Sequence, residues 1–252
     1  MMYYHSVWNF GVGNTIAGFA AIRRLSQKWG KPVPCYFDLD HVRDCFLDCD
    51  FIEILDTKPN SQPLFTSVLT NTSHNTRPDY QFIFDKVTGE KWNGQRCYVD
   101  EPKEFEAINN FCKKGKIAAF VQGSGNEQAH YLATKTIPEY YFLQAIEAVK
   151  AKGLIPVFVG SENDLKRNSW ANNMSHVVGD IRKALAVISQ SELVYINDTG
   201  LAHAAGAMNK EMIVLWKDTQ APRCFNSGEN TKYFFKSEWD KSIDYIYNLK
   251  FE

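Results

Sequence analysis

Residues 193–207 read LVYINDTGLAHAAGA, and this stretch decides the fold. Leu193 to Ile196 is a short apolar run of the kind expected for a fully buried parallel strand, and residues 199–208 read as a helix of small side chains. A strand that passes into a helix over Asp-Thr-Gly leaves free backbone N–H groups where an anion can approach. Asp198 is read as the N-cap, Thr199 and Gly200 as the first turn, and His203 shares a helix face with Thr199. The imidazole is then within reach of a bound phosphate or sugar. An ordinary capped helix with one satisfied histidine would carry the same residues, so this stretch alone does not decide function.

On either side the same alternation continues. Residues 117–121, 155–159 and 212–216 are further buried-strand candidates, separated by helical patterns over 138–152 and 181–190, with a further helix expected over 163–172 and a closing helix over 237–249. Pro138 suits a first helical turn and Gly153 a helix stop. Towards the N-terminus, a strand over 3–8 leads through Gly11-Val-Gly13-Asn14 into a helix over 15–29, ended by Gly30. Strands over 33–37 and 51–55, a short helix over 41–47, a strand over 81–84, a loop over 89–95 and a helix over 103–112 complete this half. Alternating strands and helices imply parallel sheets covered on both faces, with the strand C-termini as the binding edge. The expected architecture is α/β: two Rossmann-like halves facing a central cleft. We place them at 1–114 and 115–252, with the closing helix able to pack back on the N-terminal half.

Composition narrows the function. Formal net charge is −1, which gives no overall attraction for nucleic acid or an anionic membrane surface, although a local basic patch stays open. The six cysteines are scattered with no CxxC pair, against a zinc ribbon or a disulfide scaffold. No window approaches a transmembrane span and the N-terminus lacks a signal-peptide pattern, so a cytoplasmic protein is expected. Gly11-x-Gly13 lacks the third glycine of a dinucleotide loop, because position 16 is Ile16, and there is no Gly-Lys-Ser/Thr or Gly-x-Ser-x-Gly sequence. Oxidoreductase, phosphate-loop NTPase and serine-hydrolase readings therefore have little support.

NDTGLAHAAGA followed by EMIVLW resembles the signature of glycosyltransferase family 9, the heptosyltransferase-like enzymes of the two-domain GT-B fold. Lys135-Thr-Ile-Pro138 resembles the family's Lys-x-aromatic-Pro element, IPVFVGSE from Ile155 to Glu162 its strand and glycine turn, and Asp180-Ile-Arg-Lys-Ala-Leu its preceding helix. GVGNTIAGFAAIRRL resembles the family's first glycine loop and helix. The likeness is good over 122–219, plausible over 7–37 and poor over 38–112. It implies sugar transfer from a nucleotide-activated donor to an acceptor hydroxyl, with inversion, and with the donor held by the C-terminal half. Asp198, Thr199, Gly200, His203, Lys135, Gly160 and Glu162 are the implied donor-binding residues, and Gly11, Gly13 and Asn14 the acceptor-side loop. The helix N-terminus would offset charge on the departing phosphate and Lys135 would add a compact cation. Glu162 suits ribose hydroxyls or plain helix capping.

Where the family commonly has Gly-Asp, this chain has Gly13-Asn14, and an amide cannot take a proton from an acceptor hydroxyl. Asp38, Asp40 or His41 would then supply the base, or Asn14 would only position the acceptor, or transfer has been lost. The catalytic candidates are Asn14, Lys135, Asp38 and Asp40. Trp216-Lys217-Asp218-Thr219 also departs from the glycine usual after this strand. Asp38-Leu-Asp40 and Asp48-Cys-Asp50 are nominal metal-binding pairs, but such pairs are common by chance and the helix end with Lys135 can do the same electrostatic work. No metal and no cofactor beyond the donor substrate is expected. The rival is a degenerate nucleotide-sugar or glycan binder; a third reading keeps transfer but changes the acceptor to a protein side chain or modified nucleobase, so a nucleic-acid acceptor stays open. The polar stretch 58–80, with nearby Trp92, suits an acceptor-side lid or an idle insertion.

Overall fold

The computed structural model describes residues 2–6, 11–66, 79–102, 105–123, 135–217 and 230–251. The chain divides into two compact units between Asp100 and Glu101. In the first, strands β1 (Tyr4–Ser6), β2 (Val33–Phe37), β3 (Ile52–Ile54) and β4 (Phe65–Thr66) form a sheet in the order β3-β2-β1-β4 with every pairing parallel. Helix α1 (Val12–Trp29) follows β1. It buries Ile16, Phe19, Ala20 and Ile22 and ends at Gly30, whose φ of 66° takes the left-handed conformation that glycine adopts without strain. A short helix α2 (Asp40–Arg43) follows β2.

The strand expected over 81–84 is instead part of a helix, α3 (Asp79–Thr88). An apolar run this short fits either period, and packing settles it: Tyr80, Ile83, Phe84 and Thr88 are buried, a helical spacing, and the helix lies against α1. Trp92 packs edge-on against Tyr80, with ring centroids 5.7 Å apart. Of the stretch 58–80, β4 pairs with β1, while residues 67–78 lie outside the described residues and with them most of the suggested lid.

The second unit holds a sheet in the order β10-β9-β8-β5-β6-β7, again with every pairing parallel: β5 (Ile117–Val121), β6 (Ile155–Gly160), β7 (Ser175–Val178), β8 (Ser191–Asn197), β9 (Met212–Trp216) and β10 (Thr231–Phe235). Read from β7, this is the doubly wound order 3-2-1-4-5-6, whose direction reverses between β5 and β8. Its helices are α4 (Glu106–Cys112), α5 (Glu139–Ala151), α6 (Glu162–Arg167), α7 (Ile181–Gln190), α8 (Gly200–Ala207) and α9 (Trp239–Asn248). Every residue of β5 and β9 is buried, as sequences without a polar alternation require. On one face Phe142 stacks on Trp170 at 4.4 Å between centroids, and Phe120 and Tyr195 complete the cluster.

Two further expectations change. The unit boundary lies before α4 rather than at 114/115, because α4 packs on α7, with the Cys112 thiol donating to Gln190 Oε1 at 2.9 Å. The helix expected over 163–172 is shorter, α6 followed by a 3-10 turn over Ser169–Ala171. The closing helix α9 packs on α5 within its own unit, where Ser242 meets the Tyr195 hydroxyl at 3.0 Å and Lys152 Nζ donates to the Leu249 carbonyl. Among the described residues no helix is long and apolar enough to cross a membrane.

Candidate functional site

The reversal of strand order between β5 and β8 opens the place where doubly wound sheets bind ligands, beyond the C-terminal strand ends. Asn197 closes β8 there. Its buried side chain donates to the carbonyls of Gly123 and Lys135, both at 2.9 Å, and accepts from the Gly123 N–H at 3.3 Å. Gln122, at the end of β5, accepts from the Ile137 N–H at 2.7 Å and donates to Asn168 Oδ1 at 2.8 Å. Asn168 in turn donates to the carbonyls of Gln122 and Asp164. Two amides at adjacent strand ends therefore hold the backbone of residues 135–137.

That backbone presents Lys135, whose ammonium lies 3.0 Å from Asp198 Oδ2. The expected N-cap role of Asp198 does not hold. The cap is Thr199, in extended backbone and with no side-chain capping bond, because the Asp198 carboxylate turns to the Lys135 cation instead. Thr199 Oγ1 is buried and without a hydrogen-bond partner among the described residues. Gly200 opens α8, and the N–H groups of Gly200 and Leu201 lack intrahelical acceptors by helix geometry, while the Ala202 N–H donates to the Thr199 carbonyl at 3.1 Å. His203 lies one turn in, 6% exposed. Burial pushes its imidazole down to about 4; nearby Lys135 acts in the same direction and Asp198 opposes it. At neutral pH it is an uncharged donor and acceptor rather than a counter-ion for phosphate.

Beside these, β6 ends at Gly160, where an added Cβ would stand 3.0 Å from the Phe158 ring and 3.2 Å from Asp164 Cβ. A capping box follows, in which Ser161 Oγ accepts from the Asp164 N–H and Asp164 Oδ2 accepts from the Ser161 N–H, each at 3.0 Å. Glu162 is thus not the cap but an exposed acid in the first turn of α6.

In the first unit Gly11 caps α1, Gly13 is buried in its first turn, and Asn14 is half-buried beside it with no acid in that turn. Thr15 Oγ1 lies 2.8 Å from Ser6 Oγ and so ties α1 to β1. Asp38 and Asp40 part company. Asp38 Oδ1 lies 2.9 Å from Nε2 of His5, while Asp40, 85% exposed, pairs with Arg43 at 2.8 Å. His41 is exposed, and Asp48 uses its backbone N–H to reach Asp100 Oδ2 at 2.8 Å. Among the described residues no three His, Cys, Asp or Glu side chains gather as a metal site.

The profile of glycosyltransferase family 9 (heptosyltransferase) matches residues 82–244, more than half of the chain and all of the Lys135, Gly160 and Asp198–His203 region. The chain belongs to glycosyltransferase family 9. No curated protein sequence matches this glycosyltransferase. Among solved structures, a family 9 glycosyl transferase from Veillonella parvula is similar with a TM-score of 0.71 and 10% identity, over 100% of this chain and 90% of that one. E. coli ADP-heptose LPS heptosyltransferase II is similar at a TM-score of 0.66 and 11% identity, over 96% and 97% of the two chains. E. coli heptosyltransferase WaaC with ADP is similar at 0.66 and 12%, over 97% and 99%. At such identities these likenesses speak for the fold.

Sequence reasoning about this glycosyltransferase missed Asn197, Gln122 and Asn168, which position the Lys135 segment, and His5, the partner of Asp38. Asn197 has a readable signal, an amide closing an otherwise apolar strand that borders a glycine-initiated helix. The departure at Trp216-Lys217-Asp218-Thr219 is half visible: Trp216 closes β9, buried, while Asp218 and Thr219 lie outside the described residues.

Proposed function

We propose that this glycosyltransferase moves a sugar from a nucleotide-activated donor to an acceptor hydroxyl without a metal and with inversion. The observation that carries the reading is the start of α8, where the Lys135–Asp198 pair, the buried Thr199 hydroxyl and the first-turn N–H groups meet at the β5/β8 reversal. A diphosphate seated there gains directed N–H donors and the positive end of the helix, and Lys135 has three ammonium protons, enough to serve Asp198 and a phosphate oxygen together. The same donors stabilise the charge that grows on the departing diphosphate. Gly160 lets Phe158 and Asp164 pack closely at the end of β6, and Glu162 suits a ribose hydroxyl. Neutral His203 contributes a hydrogen bond rather than charge.

Titrating ADP, GDP, UDP and CMP calorimetrically, with and without EDTA, tests this. One nucleoside diphosphate is expected to bind equally in EDTA and to bind less well to Asp198→Ala. Binding that needs added magnesium would overturn metal independence, and no binding by any of the four would overturn the donor site. Asn14 favours a second reading, a binder that no longer transfers; detectable release of nucleotide from a nucleotide-sugar rejects it.

A further inference from the structure

We propose that the buried amides of Gln122 and Asn168 are positioning groups that make the donor site select a nucleoside diphosphate over the corresponding monophosphate, by holding the Lys135 segment at one distance from α6. This deepens the donor-site reading above and rests on it.

The two amides fit together in one orientation. Asn168 Nδ2 gives its two hydrogens to the carbonyls of Gln122 at 2.9 Å and Asp164 at 2.7 Å, while Oδ1 accepts from Trp170 Nε1 at 3.2 Å and from Gln122 Nε2 at 2.8 Å. Turned over, the Asn168 oxygen would face two carbonyls and its NH2 group would face the indole N–H, so Oδ1 stays toward Gln122. The Gln122 amide must then present Nε2 to Asn168 and Oε1 to the Ile137 N–H, 2.7 Å away. Both side chains are 6% exposed, so a bond lost here leaves its partner buried and unserved.

This relay joins two parts of the donor site within the second unit. Asn168 ends α6, whose first turn carries Glu162, and its backbone N–H and its side chain both donate to the Asp164 carbonyl. At the other end, Ile137 lies two residues after Lys135, whose own carbonyl is held by Asn197. The segment 135–137 is thus fixed at two points, and Gln122 is its tie to α6. Strands β6, β5 and β8 are successive neighbours about 4.8 Å apart, which separates the end of β6 from the start of α8 by roughly 10 Å. A nucleoside seated at Glu162 covers that span with two phosphates, of which the second meets Lys135 and the N–H groups of Gly200 and Leu201. A monophosphate stops short of them. Cutting a tie of purely structural purpose would lower stability but would weaken both ligands alike.

Calorimetry in EDTA on the full chain tests this, with whichever of ADP, GDP, UDP and CDP binds best set against its monophosphate. The proteins are wild type, Gln122→Met, Lys135→Ala and the double variant; methionine keeps the length of the side chain and removes both of its hydrogen bonds. Wild type is expected to prefer the diphosphate about 10-fold or more. Gln122→Met is expected to lose about 5-fold or more in diphosphate affinity while its monophosphate affinity stays within about 2-fold of wild type. With Lys135 already replaced by alanine, the same substitution is expected to change diphosphate affinity by less than about 2-fold. Equal loss for both ligands, no loss for either, or independent effects in the double variant overturns the proposal and leaves the donor site standing. So does a wild type that binds the monophosphate as tightly or more tightly. A wild type that binds none of these nucleotides overturns the donor reading and the spacing with it. Should Gln122→Met not fold, amide hydrogen exchange in the wild type decides. Saturating diphosphate is expected to slow exchange at Ile137 about 10-fold or more beyond saturating monophosphate, and equal protection overturns the proposal.

Discussion

The ammonium of Lys135 and the carboxylate of Asp198 lie 3.0 Å apart, each side chain about one quarter exposed, at 25% and 28%. Half-buried pairs of this kind add little to folding, so their value is in placing the cation beside the start of α8. Lys135→Ala is expected to weaken binding of the preferred nucleoside diphosphate about 10-fold, roughly 1.4 kcal/mol, and Asp198→Ala severalfold through loss of the anchor. Calorimetry in EDTA checks both. Unchanged affinity in the two variants would remove this pair from the donor site.

Asn197 is 1% exposed and its amide serves three backbone groups, two on Gly123 and one on Lys135. Truncation leaves those groups buried and unserved, at about 1–3 kcal/mol for each one not rescued by water. Asn197→Ala is therefore expected to lower the urea-unfolding free energy by about 2–4 kcal/mol and to weaken nucleotide binding through the displaced Lys135. A midpoint shift with unaltered binding would confine Asn197 to stability.

His203 titrates about 4 in the folded protein because burial disfavours its cation, whereas an unfolded histidine titrates near about 6.5. Between those values the unfolded chain binds the extra proton. The stabilisation from keeping His203 neutral is complete above about 6.5 and is lost as pH falls toward the folded value, by at most about 3 kcal/mol. Urea unfolding from pH 7 to pH 4 is expected to show a slope across this window that His203→Gln flattens. His203→Ala is expected to weaken donor binding or slow turnover as well.

A methyl group at Gly160 would press on the Phe158 ring at 3.0 Å and on Asp164 Cβ at 3.2 Å, and neither neighbour has a free end to swing away. Gly160→Ala is expected to cost about 1–3 kcal/mol of stability and to shift the capping box at Ser161 and Asp164. Thermal unfolding reads the first effect and nucleotide affinity the second.

Legibility followed burial. Strands β5, β8 and β9 read clearly as continuous apolar runs, because a central parallel strand covered on both faces has no polar side. The edge strands β7, SHVV, and β10, TKYFF, escaped notice because half-exposed strands mix polar and apolar residues and lack that signature. Residues 81–84 misled for a different reason, since four apolar residues in a row fit a strand or a helix until their partner is known. The partner is α1.

By itself the sequence determined the α/β class, the family signature from Asp198 to His203, and the absence of an acid at Asn14, because these depend on residue type and short-range order. Tertiary structure decided which groups meet. Lys135 and Asp198 are brought together by the neighbouring ends of β5 and β8, and His5 and Asp38, 33 residues apart, by the parallel pairing of β1 with β2. A parallel sheet aligns strand ends that are far apart along the chain, so no local pattern announces the contacts made at its C-terminal edge. The turn of Asp198 from helix cap to ion pair has the same origin, since its competing partner arrives from a segment that the local sequence does not contain.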